Sequence, residues 1–303
     1  MEKNEILEKF LGLKRAKNAV LLAHNYQIEE VELAADYLGD SLELSRTASG
    51  GDADIIVFAG VKFMAETAKI LAPGKKVLLP RLDAGCPMAD MIMVEDLREL
   101  KKDHPNAKVV PYVNSSVEIK AESDVCCTSA NAVNVVESID ADEIIFIPDQ
   151  NLGAYVQKMV PGKKVILYEG YCYVHHRIKR EEIETMKKFY PGDEVLVHPE
   201  ARMEVIELAD RVLSTSGMLR HASTSGAKQF IVATEQGLLE RMKRENPGKE
   251  FYPPLRAKIC ANMKRTSLRD VYDSLEKEKY EIIVDAEIAR LAVNALESML
   301  KYV

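Results

Sequence analysis

Three stretches of the chain repeat one another, and this repetition limits the possible folds more than any other feature. PGKKVLLPRLDAGCPMAD begins at Pro73, PGKKVILYEGYCYVHH at Pro161 and PGKEFYPPLRAKICANMK at Pro247, 88 and 86 residues apart. Each Pro-Gly-Lys turn leads through a short apolar run to one cysteine: Cys86, Cys172 and Cys260. The same offsets hold upstream. The runs NAVLLAHNYQ (18–27), AKVVPYVNSS (107–116) and DEVLVHPEAR (193–202) are followed by an acid at Asp36, Asp124 and Asp210, then by a hydroxyl at Ser41, Ser129 and Thr215. DIIVFAG, EIIFIPD and QFIVATE follow, and a helical pattern in each unit returns to the Pro-Gly-Lys turn. So many landmarks in one register mark an internal triplication, which outranks any single motif.

Each unit therefore reads β-α-β-α-β-α-β. Its strands are continuous apolar runs, as a parallel sheet covered by helices on both faces requires. The expected fold is α/β: three homologous domains, each a small parallel sheet with flanking helices, arranged with pseudo-threefold symmetry around a central site. The domains are expected at 18–102, 103–190 and 191–270, with peripheral helices in 1–17 and 271–303. Ile6, Phe10 and Leu13 share one face of the N-terminal helical pattern. Further helices are expected from Ser267 and over Asp285–Tyr302.

Composition narrows the function. A formal charge of −7, with no basic stripe, argues against nucleic-acid binding. The apolar runs are too short for a membrane span, and the N-terminal stretch lacks the apolar core of a signal peptide. Five cysteines, an odd number, fit free or metal-bound thiols in a reducing compartment. A cytoplasmic location is expected.

Sites in parallel α/β sheets lie beyond the carboxyl ends of the strands. There the repeat aligns His24, Tyr112 and His198 in one position, and Tyr26, Asn114 and Glu200 two residues on. Residues two apart on a strand point the same way, so the six form three pairs facing the pseudo-axis. Ser41, Ser129 and the Ser214-Thr215-Ser216 run sit where helices begin. Their hydroxyls serve either as helix caps or as seats for anionic ligand groups.

Three thiols arriving at one axis can bind zinc, bind an iron–sulfur cluster, or simply pack. No CxxC spacing decides among these. A [4Fe-4S] cluster on three cysteines would keep one iron open as a Lewis acid. Zinc on three cysteines and His175 or His176 is the structural competitor. Cys126 and Cys127 have no counterparts in the other units and are expected to pack in the core.

With HNYQ at 24–27, GDS at 39–41, CPMA at 86–89, YVNS at 112–115, CTSAN at 127–131, PDQNLG at 148–153, HPE at 198–200 and STS at 214–216, the chain resembles the quinolinate synthase family. The resemblance spans essentially the whole chain, and its motifs are specific in combination. It implies three α/β domains around a central [4Fe-4S] cluster on Cys86, Cys172 and Cys260. It further implies condensation of iminoaspartate with dihydroxyacetone phosphate to quinolinate, phosphate and water. An L-aspartate oxidase or dehydrogenase would supply the iminoaspartate.

Carried over by that resemblance, the pocket holds His24, Tyr26, Ser41, Tyr112, Asn114, Ser129, His175, His198, Glu200, Ser214 and Thr215. Glu200 is the expected general base. Tyr26 would pass protons, and His24 and His198 would position oxygens. Tyr112 and Asn114 would orient the dicarboxylic partner, and the hydroxyls would hold carboxylate and phosphate groups. His175 is expected to bind substrate. The loop after Cys172 departs from the family in reading CYVHH where a proline follows the cysteine. The loop Arg81–Asp90 is a candidate lid. Competing readings are an iron–sulfur hydro-lyase for a hydroxy-acid, a non-catalytic iron–sulfur sensor, and a zinc-stapled structural protein.

Overall fold

The computed structural model describes residues 3–302. The first unit runs β1 (Ala19–His24), a helix Glu29–Glu32, β2 (Tyr37–Gly39), a helix Ser41–Ser49, β3 (Ile55–Ala59), a helix Lys62–Leu71 and β4 (Lys76–Leu78). The second has β5 (Lys108–Pro111), helices Val117–Ala121 and Ala132–Ser138, β6 (Glu143–Ile147), a helix Gln150–Met159 and β7 (Lys164–Leu167). The third repeats the first: β8 (Glu194–Val197), Met203–Ile206, β9 (Arg211–Val212), Thr215–Thr224, β10 (Gln229–Ala233), Gln236–Glu245 and β11 (Glu250–Tyr252). All strand pairings are parallel. Sheets one and three share the order second-first-third-fourth strand. The architecture is α/β with three small parallel sheets flanked by helices.

The middle sheet is the exception, with three strands in the order β5-β6-β7. The apolar run expected to supply its fourth strand makes only a single bridge, Tyr112 to Cys127. The Cys126 N–H is diverted to the Ala295 carbonyl at 2.9 Å, inside the C-terminal helix Ala286–Met299. A strand whose donor is taken by a helix cannot extend its ladder. This helix is therefore more than peripheral. It buries Ala292, Ala295, Leu296 and Met299, and Asn131 of the second unit donates to its Met299 carbonyl at 3.0 Å.

The acid landmarks of the repeat have an architectural cause. Asp36 Oδ2 accepts the Leu21 N–H at 2.7 Å, Asp124 Oδ2 that of Val109 at 2.8 Å and Asp210 Oδ2 that of Val195 at 2.8 Å. Each aspartate also donates its own N–H back to the same residue's carbonyl. The pair satisfies the first strand where the short second strand has not yet begun, which backbone groups inside a fold require.

Alternation along the strands explains why they are apolar throughout. Leu22, Ile56 and Phe58 of the first sheet, Val110, Ile144 and Phe146 of the second, and Leu196, Phe230 and Val232 of the third enter one shared core. Their neighbours Leu21 and Val57, Val109 and Ile145, and Val195 and Ile231 enter three separate outer cores. The N-terminal helix Lys3–Ala16 buries Ile6 and Phe10, with Leu13 half-buried, in the outer core of the first sheet, alongside the helix Leu268–Lys277. Continuing the same alternation, His24 follows Leu22, Tyr112 follows Val110 and His198 follows Leu196 on the shared face. Among the described residues, no helix is long and apolar enough to cross a membrane.

The loop carrying Cys172 sits against Pro148 without spare room. A Cβ on Gly170 would lie 2.5 Å from the Pro148 carbonyl oxygen, and backbone cannot turn aside as a side chain can. Gly170→Ala is expected to destabilise the chain by about 1–3 kcal/mol, read as a lower urea midpoint. An unchanged midpoint would contradict this packing.

Candidate active site

The three strand tips meet in one cavity. His24, Tyr112 and His198 line it, with Tyr26, Asn114 and Glu200 beside them. Ser41, Ser129, Thr215 and His175 line it too, and so do Cys86, Cys172 and Cys260. Every unit thus contributes a strand-tip pair, a hydroxyl and a thiol. Ser214 alone of the expected pocket residues is turned away. Its Oγ accepts the Gly217 N–H at 3.2 Å as a helix cap and donates to Asp40 at 3.1 Å.

The expected capping roles of the hydroxyls are therefore redistributed. Asp40 caps the helix Ser41–Ser49, accepting from Leu42 and Glu43 N–H at 3.1 Å each, which frees Ser41 to face the cavity. In the second unit Thr128 and Asn131 close the turn before the helix, leaving Ser129 on the wall. Ser214 caps the third, and Thr215, one residue on, lines the cavity. The hydroxyls one residue past the caps at Asp40 and Ser214 are the ones that line the cavity.

Glu200 and His175 form the polar centre. The Glu200 carboxylate accepts from Tyr112 Oη at 2.5 Å on one oxygen and lies 2.6 Å from His175 Nδ1 with the other. His175 Nδ1 is also 3.2 Å from Cys172 Sγ, while Nε2 lies 3.0 Å from Thr234 Oγ1 and 3.3 Å from Tyr26 Oη. Tyr26 and Thr234 are 2.7 Å apart. Burial alone would raise the Glu200 pKa, but His175, His198 and the hydrogen bonds from His175 and Tyr112 outweigh it. They hold the carboxyl well below its usual range. Both tyrosines are pushed well above theirs by burial and then by the Glu200 charge, so they stand as hydroxyl donors.

His24 and His198 share a local geometry. The N–H two residues on, of Tyr26 or Glu200, points at ring Nδ1, at 3.2 and 3.4 Å. Burial lowers each pKa to about 3, so both rings are neutral at neutral pH. A neutral ring that accepts at Nδ1 carries its proton on Nε2. His198 stacks on His175 with centroids 4.4 Å apart, an arrangement that disfavours charging both. Each strand-tip histidine thus carries a fixed donor at Nε2.

All five cysteines are free thiols. Burial pushes Cys86 up to about 12, with the neighbouring Cys260 adding to it, and raises Cys172 and Cys260. Neutral buried thiols release protons when they take a metal. Cys126 and Cys127 lie fully buried in the shared core, away from the cavity. His176 is turned from the thiols, its Nδ1 3.2 Å from Asn151 Nδ2 and its ring on Tyr171. Among the described residues, one trio of His, Cys, Asp or Glu ligand atoms gathers within 4.8 Å: Cys172, His175 and Glu200.

The cysteine loops are tied to one another. Tyr173 Oη accepts the Ala261 N–H at 3.0 Å and lies 3.8 Å from Cys260 Sγ. Asn262 Nδ2 donates to the Gly85 carbonyl at 2.8 Å, and Arg265 pairs with Asp83 at 2.6 Å. These bonds hold much of the Arg81–Asp90 loop against the Cys260 loop. Sequence reasoning passed over Thr234, Asp40 and Tyr173, all of which touch site residues. Asp40 and Thr234 carried a signal, since Asp40 sits at a repeat offset from Ser214 and Thr234 ends the third unit's strongest strand.

A family model described as Quinolinate synthetase A protein matches residues 8–301. The quinolinate synthase of Alkaliphilus metalliredigens is 51% identical over 301 residues, 99% of this chain and 99% of that protein. That of Dehalococcoides mccartyi (strain CBDB1) is 52% identical over 303 residues and covers 100% of both chains. That of Geobacter sp. (strain M21) is 54% identical over 289 residues, 95% of each.

The two neutral histidines set a pH dependence. Each ring takes a proton near pH 6.5 when unfolded but only near pH 3 when folded, so the unfolded chain binds more protons in between. Stability is then full above that window and falls as pH drops, by about 1.4 kcal/mol per pH unit for each ring. Urea unfolding at pH 7, 6 and 5 should show the midpoint falling. A flat or rising midpoint toward pH 5 would contradict buried neutral rings.

Proposed function

Since this chain belongs to the quinolinate synthetase A protein family over nearly its whole length, we propose that it condenses iminoaspartate with dihydroxyacetone phosphate to quinolinate, phosphate and two waters. We infer that Cys86, Cys172 and Cys260 hold a [4Fe-4S] cluster for this reaction. The observation that carries the reading is the meeting of one thiol and one strand-tip pair from each repeat at a single cavity. The donor set fits such a cluster. Three thiols, one from each unit, line the cavity, and thiolates are the ligands that hold iron–sulfur clusters. Bound by three thiolates, the cluster would supply an open iron, a Lewis acid for a substrate carboxylate or hydroxyl.

The chain's own residues divide the remaining work. His24 and His198 donate Nε2–H to substrate carbonyl or carboxylate oxygens. Asn114 Oδ1 is buried and has no partner among the described residues, so a substrate N–H or O–H would complete it. Ser41, Ser129 and Thr215 hold phosphate and carboxylate oxygens. Proton removal runs through Glu200 and His175 as a pair. Both Glu200 oxygens are engaged, so the carboxylate either exchanges a partner for the substrate proton or orients His175 to accept it at Nε2. Tyr26, close to that nitrogen, passes protons onward. The cavity walls Val61, Phe63 and Met263 keep bulk water from the reacting carbons. An L-aspartate oxidase or dehydrogenase would supply the imine, and the cytoplasm is the compartment this chemistry suits.

Glu200→Gln is expected to lower quinolinate formation by about 10²-fold or more while leaving the visible iron–sulfur absorption intact. Wild-type turnover would remove Glu200 from proton transfer. After anaerobic reconstitution, Cys86→Ala, Cys172→Ala and Cys260→Ala should each lose iron and sulfide, whereas Cys126→Ala and Cys127→Ala should keep both. Full iron in the first three would refute the ligand set, and iron-free zinc in the wild type would replace the cluster with a zinc site.

A further inference from the structure

The helix that follows the third strand of each unit begins at a repeat-equivalent cap: Val61, Asp149 and Glu235, 88 and 86 residues apart. The first helical residue then donates its N–H to the carbonyl two residues before the cysteine. Lys62 donates to Ala84 at 2.9 Å, Gln150 to Gly170 at 2.8 Å and Gln236 to Lys258 at 2.8 Å. This contact is common to all three units. In two of them a carboxylate adds another. Asp149 Oδ2 accepts the Cys172 N–H at 3.2 Å, and Glu235 Oε1 accepts the Cys260 N–H at 3.1 Å.

Elsewhere the chain caps helices with the hydroxyls of Ser116, Ser214 and Ser267 and with the carboxylates of Asp40 and Asp285, none of which bonds a cysteine N–H. Asp149 and Glu235 are 0% exposed, where a charge is costly unless well paired. Their second oxygens show what a carboxylate adds. Asp149 Oδ1 takes the Asn151 and Leu152 N–H groups at 2.8 and 2.9 Å. Glu235 Oε2 takes the Gly237 N–H at 2.6 Å and Lys264 Nζ at 3.2 Å. One side chain thus ties the helix start and the cysteine backbone together, helped by the positive end of the helix dipole.

We propose that Asp149 and Glu235 are positioning residues that fix the backbones of Cys172 and Cys260 for metal binding, while Val61 leaves Cys86 without that hold. The inference rests on the ligand assignment made above for the three cysteines. It concerns how two of the loops are held, and it gives the three thiols unequal support inside a triplicated frame.

The test compares wild type with Asp149→Asn, Glu235→Gln, Asp149→Ala, Glu235→Ala and Asp285→Ala. A carboxamide has one acceptor oxygen and cannot serve helix and cysteine together. Asp285 caps the helix Ala286–Met299 through Glu287 and Ile288 N–H and touches no cysteine, so its variant controls for lost capping. In the metal-free chains, hydrogen exchange of peptides spanning Cys172 or Cys260 should speed up about tenfold or more in the matching variant, and not in Asp285→Ala. In the reconstituted chains, iron release to a chelator should rise about 10-fold or more in Asp149→Asn and Glu235→Gln. If the alanine variants fail to fold, the two amide variants decide. Wild-type exchange and iron release in both amide variants would overturn the proposal. A wild-type chain that takes up no iron would instead remove the cluster reading, with the metal-free exchange still judging the loops.

Discussion

Parallel strands and the helices after them all present the same chemical ends in the same direction. Three such sheets turned with their carboxyl ends inward enclose a space ringed by polar strand tips and helix starts. Polar groups packed there must pair with one another, because little water reaches them. They pair across units. Tyr112 of the second unit bonds Glu200 of the third, Glu200 bonds His175 of the second, and His175 neighbours Tyr26 of the first and Thr234 of the third. Assembly of the three units and construction of the site are therefore one event. The same network keeps Glu200 ionised and the strand-tip histidines neutral, so protonation states follow from the fold.

Much of this was legible from residues alone, because a repeat converts weak local signals into aligned ones. One histidine at a strand end says little, whereas three polar tips in one register say where strands converge. Alternation then placed His24, Tyr112 and His198 on the side of the shared core. The acids at Asp36, Asp124 and Asp210 were visible as landmarks, but their task of closing the first strand needed coordinates.

The misread elements and the choices that residues alone left open were both decided by a competing partner. The middle unit's second strand was lost to the C-terminal helix, which lies over 150 residues away in sequence. Ser41 was freed because the carboxylate of Asp40 is the better cap, and Ser214 was drawn off the cavity by that same aspartate. Of His175 and His176, which the zinc reading left as alternatives, only the family resemblance picked out His175. A short helix at Tyr173–His176 turns one toward Cys172 and the other toward Asn151. Each case is a choice between neighbours that local propensity cannot settle.

Central to the account is that the thiols of Cys86, Cys172 and Cys260 share one metal group, one thiol from each unit. The most direct measurement is an iron anomalous-scattering map from crystals of the anaerobically purified protein. The account predicts a single polynuclear iron peak bounded by those three sulfurs, with His175 and Glu200 beside it. A lone ion at Cys172, His175 and Glu200, or no metal near Cys86 and Cys260, would contradict it.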